Sequence, residues 1–192
     1  MRLLVNRKFA VLITVAVAVL ATLFGVYRTS ARYTRKIEAL FYDGVYLRDE
    51  GYTQPGIEAH LENSANAALG FAAFMDKYPE FAPQAEELIF ARRELLAAKG
   101  IGEKSAAYLE MSRLFYALFF KQLDAYLPGR DVDAARRYYD TFYGAATAIF
   151  NSGYNDEVRE YLDGRSFLMR FAGAFAPVRE PEYFIITQAA TG

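Results

Sequence analysis

Few residues in this chain are suited to catalysis or metal binding. There is one histidine, His60, and no cysteine. Thiol chemistry, disulfides and Cys-ligated metals are thereby excluded, and so is a His-rich metal site. Glu58 and Glu62 lie two residues either side of His60, a spacing that puts them on other faces of a helix. Di-iron bundles need Glu-x-x-His on two helices, which one histidine, with Asn63 three residues after it, does not supply. The carboxylate pairs Glu86-Glu87 and Asp156-Glu157 are adjacent in sequence. Neighbouring helix positions point about 100° apart, so neither pair converges on one substrate for acid–base work. No Gly-rich phosphate loop follows a strand, and no Ser/His/Asp signature is present. No catalytic residue, cofactor or metal ion is expected, and the chain reads as non-enzymatic.

The aromatic residues form the other chemical group, with 15 Tyr, 16 Phe and no Trp. Tyr138, Tyr139, Tyr143, Tyr154 and Tyr161 crowd one segment, and Tyr108, Tyr116 and Tyr126 the one before it. One reading is an aromatic core with its hydroxyls at the rim, which helical spacing explains for most positions. The other is a groove for a ligand or partner, lined by Tyr108, Tyr116, Tyr139, Tyr143, Tyr154 and Tyr161.

The elements that must hold these residues begin with a membrane segment. Phe9 to Tyr27 is 19 residues without a charge. At 1.5 Å per residue it spans about 28 Å, close to a bilayer's hydrocarbon thickness. Basic residues bracket it: Arg2, Arg7 and Lys8 before, Arg28, Arg32, Arg35 and Lys36 after, with no acid among residues 1–36. A cleaved signal peptide is the rival reading, with small residues at Thr29-Ser30-Ala31. Signal h-regions are about 7–15 residues long, and Arg28 would sit just before the cut, so an uncleaved anchor is favoured. The two basic flanks nearly match, so the positive-inside rule does not choose a side. The other 156 residues hold 15 basic and 23 acidic residues, a net of −8. An acidic body argues against nucleic-acid binding, which needs a basic face.

Beyond the anchor, apolar residues recur at helical spacing. Tyr33, Ile37, Leu40, Gly44 and Leu47 continue the anchor helix until Gly51 and Pro55 end it. A second segment, from near Thr53, carries Ile57, Leu61, Ser64, Ala68, Phe71, Met75 and Tyr78, then Ala85, Leu88, Ile89, Leu95 and Leu96 up to Gly100. At Pro79 and Pro83 it either kinks or gives way to a new helix. A third runs from about Glu103 to Tyr126 on Tyr108, Met111, Phe115, Leu118, Gln122 and Ala125. A fourth, with Asp131 as N-cap, runs on Ala135, Tyr139, Phe142, Ala146, Ile149 and Gly153 through "SGYNDEVREY" to Asp163. No strand pattern interrupts these segments. The expected fold is all-α: an N-terminal transmembrane helix continuing into an up-and-down antiparallel bundle of about four long helices. Residues 1–8 are a basic flank, 9–27 the anchor, 28–163 the bundle, and 164–192 an apolar tail. In that tail Phe167, Leu168, Phe171 and Phe175 form one face, suited to the bundle or the lipid interface.

Three blocks give the chain a likeness to a known family. "EELIFARRELLAA", "FYGAATAIFNSGYNDEVREYLD" and the closing "REPEYF" resemble the LemA family of bacterial membrane proteins. The likeness covers most of residues 30–186 and is loose outside these blocks. Pro79 and Pro83 stand where the family's second helix runs on, and Tyr161-Leu162 stands where the family repeats Tyr-Asn. The resemblance implies a helical bundle anchored in a bacterial cell membrane by a single pass. It carries over no catalytic residue, and one branch's association with magnetosome membranes hints at membrane organisation.

In a bundle of four alternating helices, the end of the fourth returns to the membrane side. Asp156, Glu157, Glu160 and Asp163 would then face the bilayer or the basic neck Arg28, Arg32, Arg35 and Lys36, as an electrostatic clamp. The expected function is a membrane-anchored scaffold or interaction protein whose partners are the bilayer and a protein or second copy. The alternative is a ligand- or lipid-sensing module that uses the tyrosine groove. An enzyme with unrecognised chemistry ranks third.

Overall fold

The computed structural model describes residues 7–47, 51–123, 127–165, 169–170 and 180–185. The helices among the described residues include α1 (Arg7–Tyr42), α2 (Ile57–Met75), α3 (Ala82–Ala97), α4 (Ile101–Leu123), α5 (Gly129–Phe150) and α6 (Tyr154–Asp163). Between α1 and α2 lies an antiparallel hairpin, β1 (Val45–Leu47) and β2 (Tyr52–Gln54), with Tyr46 opposite Thr53. The fold is a helical bundle, as its periodicity predicts. Its helices are shorter and more numerous than four, because turn chemistry overrides periodicity at three places.

The first is the end of α1. The helix stops at Tyr42, and the Asp43 and Gly44 N–H groups both donate to the Ala39 carbonyl. Gly44 takes φ +80°, and a Cβ there would lie 2.0 Å from the Gln54 carbonyl oxygen. The chain therefore turns into the hairpin where a continued helix was expected, and Leu47 ends a strand. The second is Pro79 and Pro83. Pro83 occupies the first turn of α3, where a missing N–H is tolerated. α3 packs back on α2 across the 76–81 turn. The third is "SGYNDEVREY". Asn151 and Ser152 tighten the end of α5, and Gly153 takes φ +70° before α6 begins. Gly153 was expected on the helix stripe, but its work is conformational, since a left-handed backbone suits glycine. Asp131 also departs from its N-cap role. Pro128 occupies that position, and the Asp131 carboxylate accepts the Tyr78 hydroxyl at 2.6 Å.

The chain divides into two compact units, residues 39–156 with 182–192, and residues 1–38 with 157–181. In the first, α2, α3, α4 and α5 form a ring in which each helix packs on the next and α5 returns to α2. α2 also touches α4, and its stripe Ile57, Leu61, Ser64, Ala68, Phe71 and Met75 is fully buried. Gly70 admits the Tyr138 ring of α5, which an added Cβ would meet at 2.5 Å. The Phe115 and Phe142 rings stack in the centre with centroids 4.1 Å apart, and Phe71 meets Phe115 at a tilt. Lys104 of α4 reaches Glu58 of α2 at 2.6 Å, a largely buried ion pair.

In the other unit, Phe9–Tyr27 exposes nearly all its apolar side chains. The hydroxyls of Thr14 and Thr22 donate to the carbonyls of Ala10 and Ala18, so they are satisfied within the helix, as an apolar medium requires. Burial starts at Ser30 and follows Thr34 and Ile37. This stripe is rotated from the expected one, since Tyr33 is exposed. α6 lies beside this neck through the Tyr33 and Tyr161 rings, 6.3 Å apart, and Val158 is buried. Arg165 pairs with Glu180. The tail face Phe167, Leu168, Phe171 and Phe175 lies outside the described residues, as do Ala125 and Tyr126.

Two glycines separate steric from conformational cost. Gly44→Ala meets backbone atoms as well as a left-handed φ, and should lower stability by about 3 kcal/mol or more. Gly51→Ala has φ +69° but open space around it, and should cost about 1–2 kcal/mol. Urea unfolding midpoints of the two variants test this ranking.

Candidate functional site

The tyrosines do not form one groove. Tyr108 is buried, with its ring 6.1 Å from Phe142 and 5.8 Å from Phe184. Burial pushes its phenol pKa up, an effect that nearby Ser64 and Ser112 partly oppose. These two serines lie close enough to favour the phenolate, yet none of the three hydroxyls meets the distance and angle of a full hydrogen bond. Their mutual contact is therefore weak. Tyr154 is also buried, with its hydroxyl satisfied, and Tyr161 pairs with Tyr33 on α1.

The other three form a ledge on α4 and α5. Tyr139 stacks on Phe119 at 4.4 Å and on Tyr143 at 5.9 Å, and Tyr116 meets both Tyr139 and Phe120. Phe119 is buried, Tyr116 and Tyr139 are half-buried, and Phe120 and Tyr143 are 50% and 49% exposed. Rings this close fill the space between α4 and α5, so these side chains present a surface. Large aromatic rings exposed beside a packed layer are the composition of a protein-contact face. Burial, reinforced by the neighbouring tyrosines, raises the Tyr116 phenol pKa well above the ordinary tyrosine range.

A second constellation was missed by periodicity. Residues 182–185 lie in neither helix nor strand, so their backbone groups need other donors and acceptors. The Asn155 side chain supplies two of them: its Nδ2 donates to the Phe184 carbonyl at 2.7 Å, and its Oδ1 accepts the Phe184 N–H at 2.9 Å. Ser105 Oγ likewise accepts the Ile185 N–H at 2.9 Å and donates to the Ile185 carbonyl at 3.3 Å. The Tyr154 hydroxyl donates to the Glu182 carbonyl at 2.8 Å, and the Glu182 carboxylate accepts the Gly102 N–H in the first turn of α4. Phe184 is fully buried against Phe41 and Tyr108. This strap joins the last turn of α1, the start of α4 and the start of α6.

The basic neck residues Arg28, Arg32, Arg35 and Lys36 are exposed. Arg28, Thr29, Arg32, Tyr33 and Lys36 line an open concavity of about 720 Å³, and Arg28, Arg32 and Arg35 line another. Among the described residues, no ion pair links these bases to Glu157, Glu160 or Asp163. α6 thus reaches the neck through an aromatic contact. Asp156 belongs to the other unit.

The remaining candidates are more ordinary. His60 is half-buried, and desolvation lowers its pKa. Glu86 and Glu87 line an open groove between α3 and α4 with Phe90, Arg93, Glu110 and Arg113. There Arg113 holds the Glu110 carboxyl below the usual range. Among the described residues, no three His, Asp or Glu side chains gather as metal ligands. No protein-family model, curated protein or solved structure matches the chain.

Two measurements follow from this geometry. Asn155→Ala should lower stability by about 1–3 kcal/mol, because it leaves the Phe184 N–H and carbonyl without partners. Phe184→Ala should cost about 3–5 kcal/mol, and Asn155→Asp, which sets a carboxylate oxygen against the Phe184 carbonyl, should cost at least as much as Asn155→Ala; denaturant melts give all three. Raised phenol pKa values mean that Tyr108 and Tyr116 favour the fold fully below the ordinary tyrosine pKa of about 10, and that this contribution is lost as pH rises further. In an alkaline titration, phenolate absorbance from these two should therefore appear together with loss of helical circular dichroism.

Proposed function

We propose that the chain is a non-enzymatic, membrane-anchored scaffold that holds a protein partner or a second copy at a bacterial cell membrane. The observation that carries the reading is α1. Its N-terminal part is an unburied apolar span with its polar side chains internally satisfied, and the same helix goes on to bury Ser30, Thr34 and Ile37. A span with that exposure suits lipid around it. The ledge of Tyr116, Phe120, Tyr139 and Tyr143 supplies the contact face, and its filled interior suits a surface partner better than an enclosed ligand.

Membership of the LemA family is part of the proposal. Two blocks of the resemblance, Tyr154-Asn155 and Glu182-Tyr183-Phe184, are joined by three hydrogen bonds in the strap, which gives those otherwise separate motifs one shared structural role.

Proximity crosslinking in native membranes tests the reading, with a photoreactive side chain at position 120 or 143. A reproducible protein adduct, to itself or another chain, is expected from the membrane pellet and should persist after alkaline carbonate washing. Release of the chain by carbonate, or the absence of any adduct from either position, would overturn the scaffold.

A further inference from the structure

We infer that the neck of α1 is a binding site for anionic phospholipid headgroups, built by Arg28, Arg32, Arg35 and Lys36. The inference rests on the membrane-anchor reading and adds a lipid specificity to it. At 100° per residue, these four positions fall within an arc of about 100° on α1. The buried stripe Ser30, Thr34 and Ile37 is centred on the opposite side of the helix. The cations are therefore placed away from the packed face, and all four are exposed. Glu38, the nearest acid on α1, lies outside the arc. The acids that could have neutralised the cluster, Glu157, Glu160 and Asp163 on the adjoining α6, make no ion pair with it.

Position fixes the class of ligand. Arg28 follows the last residue of the apolar span, and Lys36 lies about 12 Å farther along the helix axis. The headgroup layer on one side of a bilayer is roughly 5–8 Å thick. Helical side chains lean towards the N-terminus, which on α1 is back towards the span. Long Arg and Lys side chains then reach down into the phosphate layer while their stems follow apolar surface. The concavities lined by Arg28, Arg32 and Lys36, and by Arg28, Arg32 and Arg35, bring three cations around one open space. A phosphodiester accepts paired guanidinium hydrogen bonds there. A zwitterionic headgroup brings its own cation into the same space, so the site favours a lipid with net negative charge, such as phosphatidylglycerol. A basic cluster beside the bilayer gains about fivefold in relative affinity for each cation that faces anionic lipid.

The test uses the full chain in nanodiscs of phosphatidylcholine with a minor fraction of phosphatidylglycerol, followed by gentle detergent release and native mass spectrometry of the retained lipid. Enrichment of phosphatidylglycerol over its share in the disc is expected, and it should fall by at least fivefold in the R28Q/R32Q/R35Q/K36Q variant. R28K/R32K/R35K, which keeps the charge, should retain most of it, and R136Q/R137Q, which removes two exposed charges on α5, should leave it unchanged. Equal retention in the wild type and the quadruple Gln variant would overturn the site, and so would an equal loss in R136Q/R137Q. Displacement by inorganic phosphate, but not by sodium chloride of the same ionic strength, would reassign the cluster to a soluble anion and refute the lipid. A chain that fails to enter the discs at all refutes the anchor, whereas a chain that enters without enrichment refutes only this inference.

Discussion

The bundle of residues 39–156 depends on α2 being buried on several sides at once. Three helices pack on it, and a helix so surrounded needs small residues wherever a neighbour comes close. Ala65, Ala67, Ala68 and Ala72 meet that need, and Gly70 admits the Tyr138 ring. Large side chains are then confined to Ile57, Leu61, Phe71, Phe74 and Met75, which project into the spaces between neighbouring helices. The aromatic layer of α4 and α5 follows, because Phe71 fixes where Phe115 and Phe119 lie, and Phe115 fixes Phe142. The exposed ledge is the outer edge of that layer. Its chemistry is a consequence of how the core is filled.

The helices with one buried face were legible in the sequence, since a 3.6-residue period records burial directly. The stripe of α2 is an example, position for position from Ile57 to Met75. α1 was legible as a helix but not in its phase. Tyr33 satisfies an apolar pattern yet is exposed, whereas Ser30 and Thr34 break that pattern and are buried. Gly153 misled for a related reason. It falls on the stripe of α5, so periodicity absorbed it, while Asn151 and Ser152 before it carried the turn signal. Where a stripe residue is glycine, its lack of a side chain is compatible with close packing or with a chain reversal, and only the neighbouring residues distinguish them.

The strap was not legible at all. Four residues outside helix and strand have too little length for periodicity, and two of their partners, Gly102 and Ser105, lie 80 residues away. An amide side chain that serves both backbone groups of one residue looks like any other helical Asn. The clamp expected at the neck was misplaced for the opposite reason. Opposite charges suggested pairing, but the contact that formed joins Tyr33 to Tyr161. Exposed ion pairs contribute about 0–1 kcal/mol each, too little to set how α6 meets the neck.

The strap also bears on the order of events during synthesis. Phe41 is made early and Phe184 late, and Gly102 and Ser105 must likewise wait for Glu182 and Ile185. Helices α2 to α5 can associate as they leave the ribosome, since domains fold progressively from the N-terminal side. The aromatic box around Tyr108 stays open until residue 185 has emerged. Throughout that interval a nascent chain exposes Phe41 and Tyr108 next to unpartnered Asn155 and Ser105 side chains. Closure of the bundle therefore waits on the last residues of the strap.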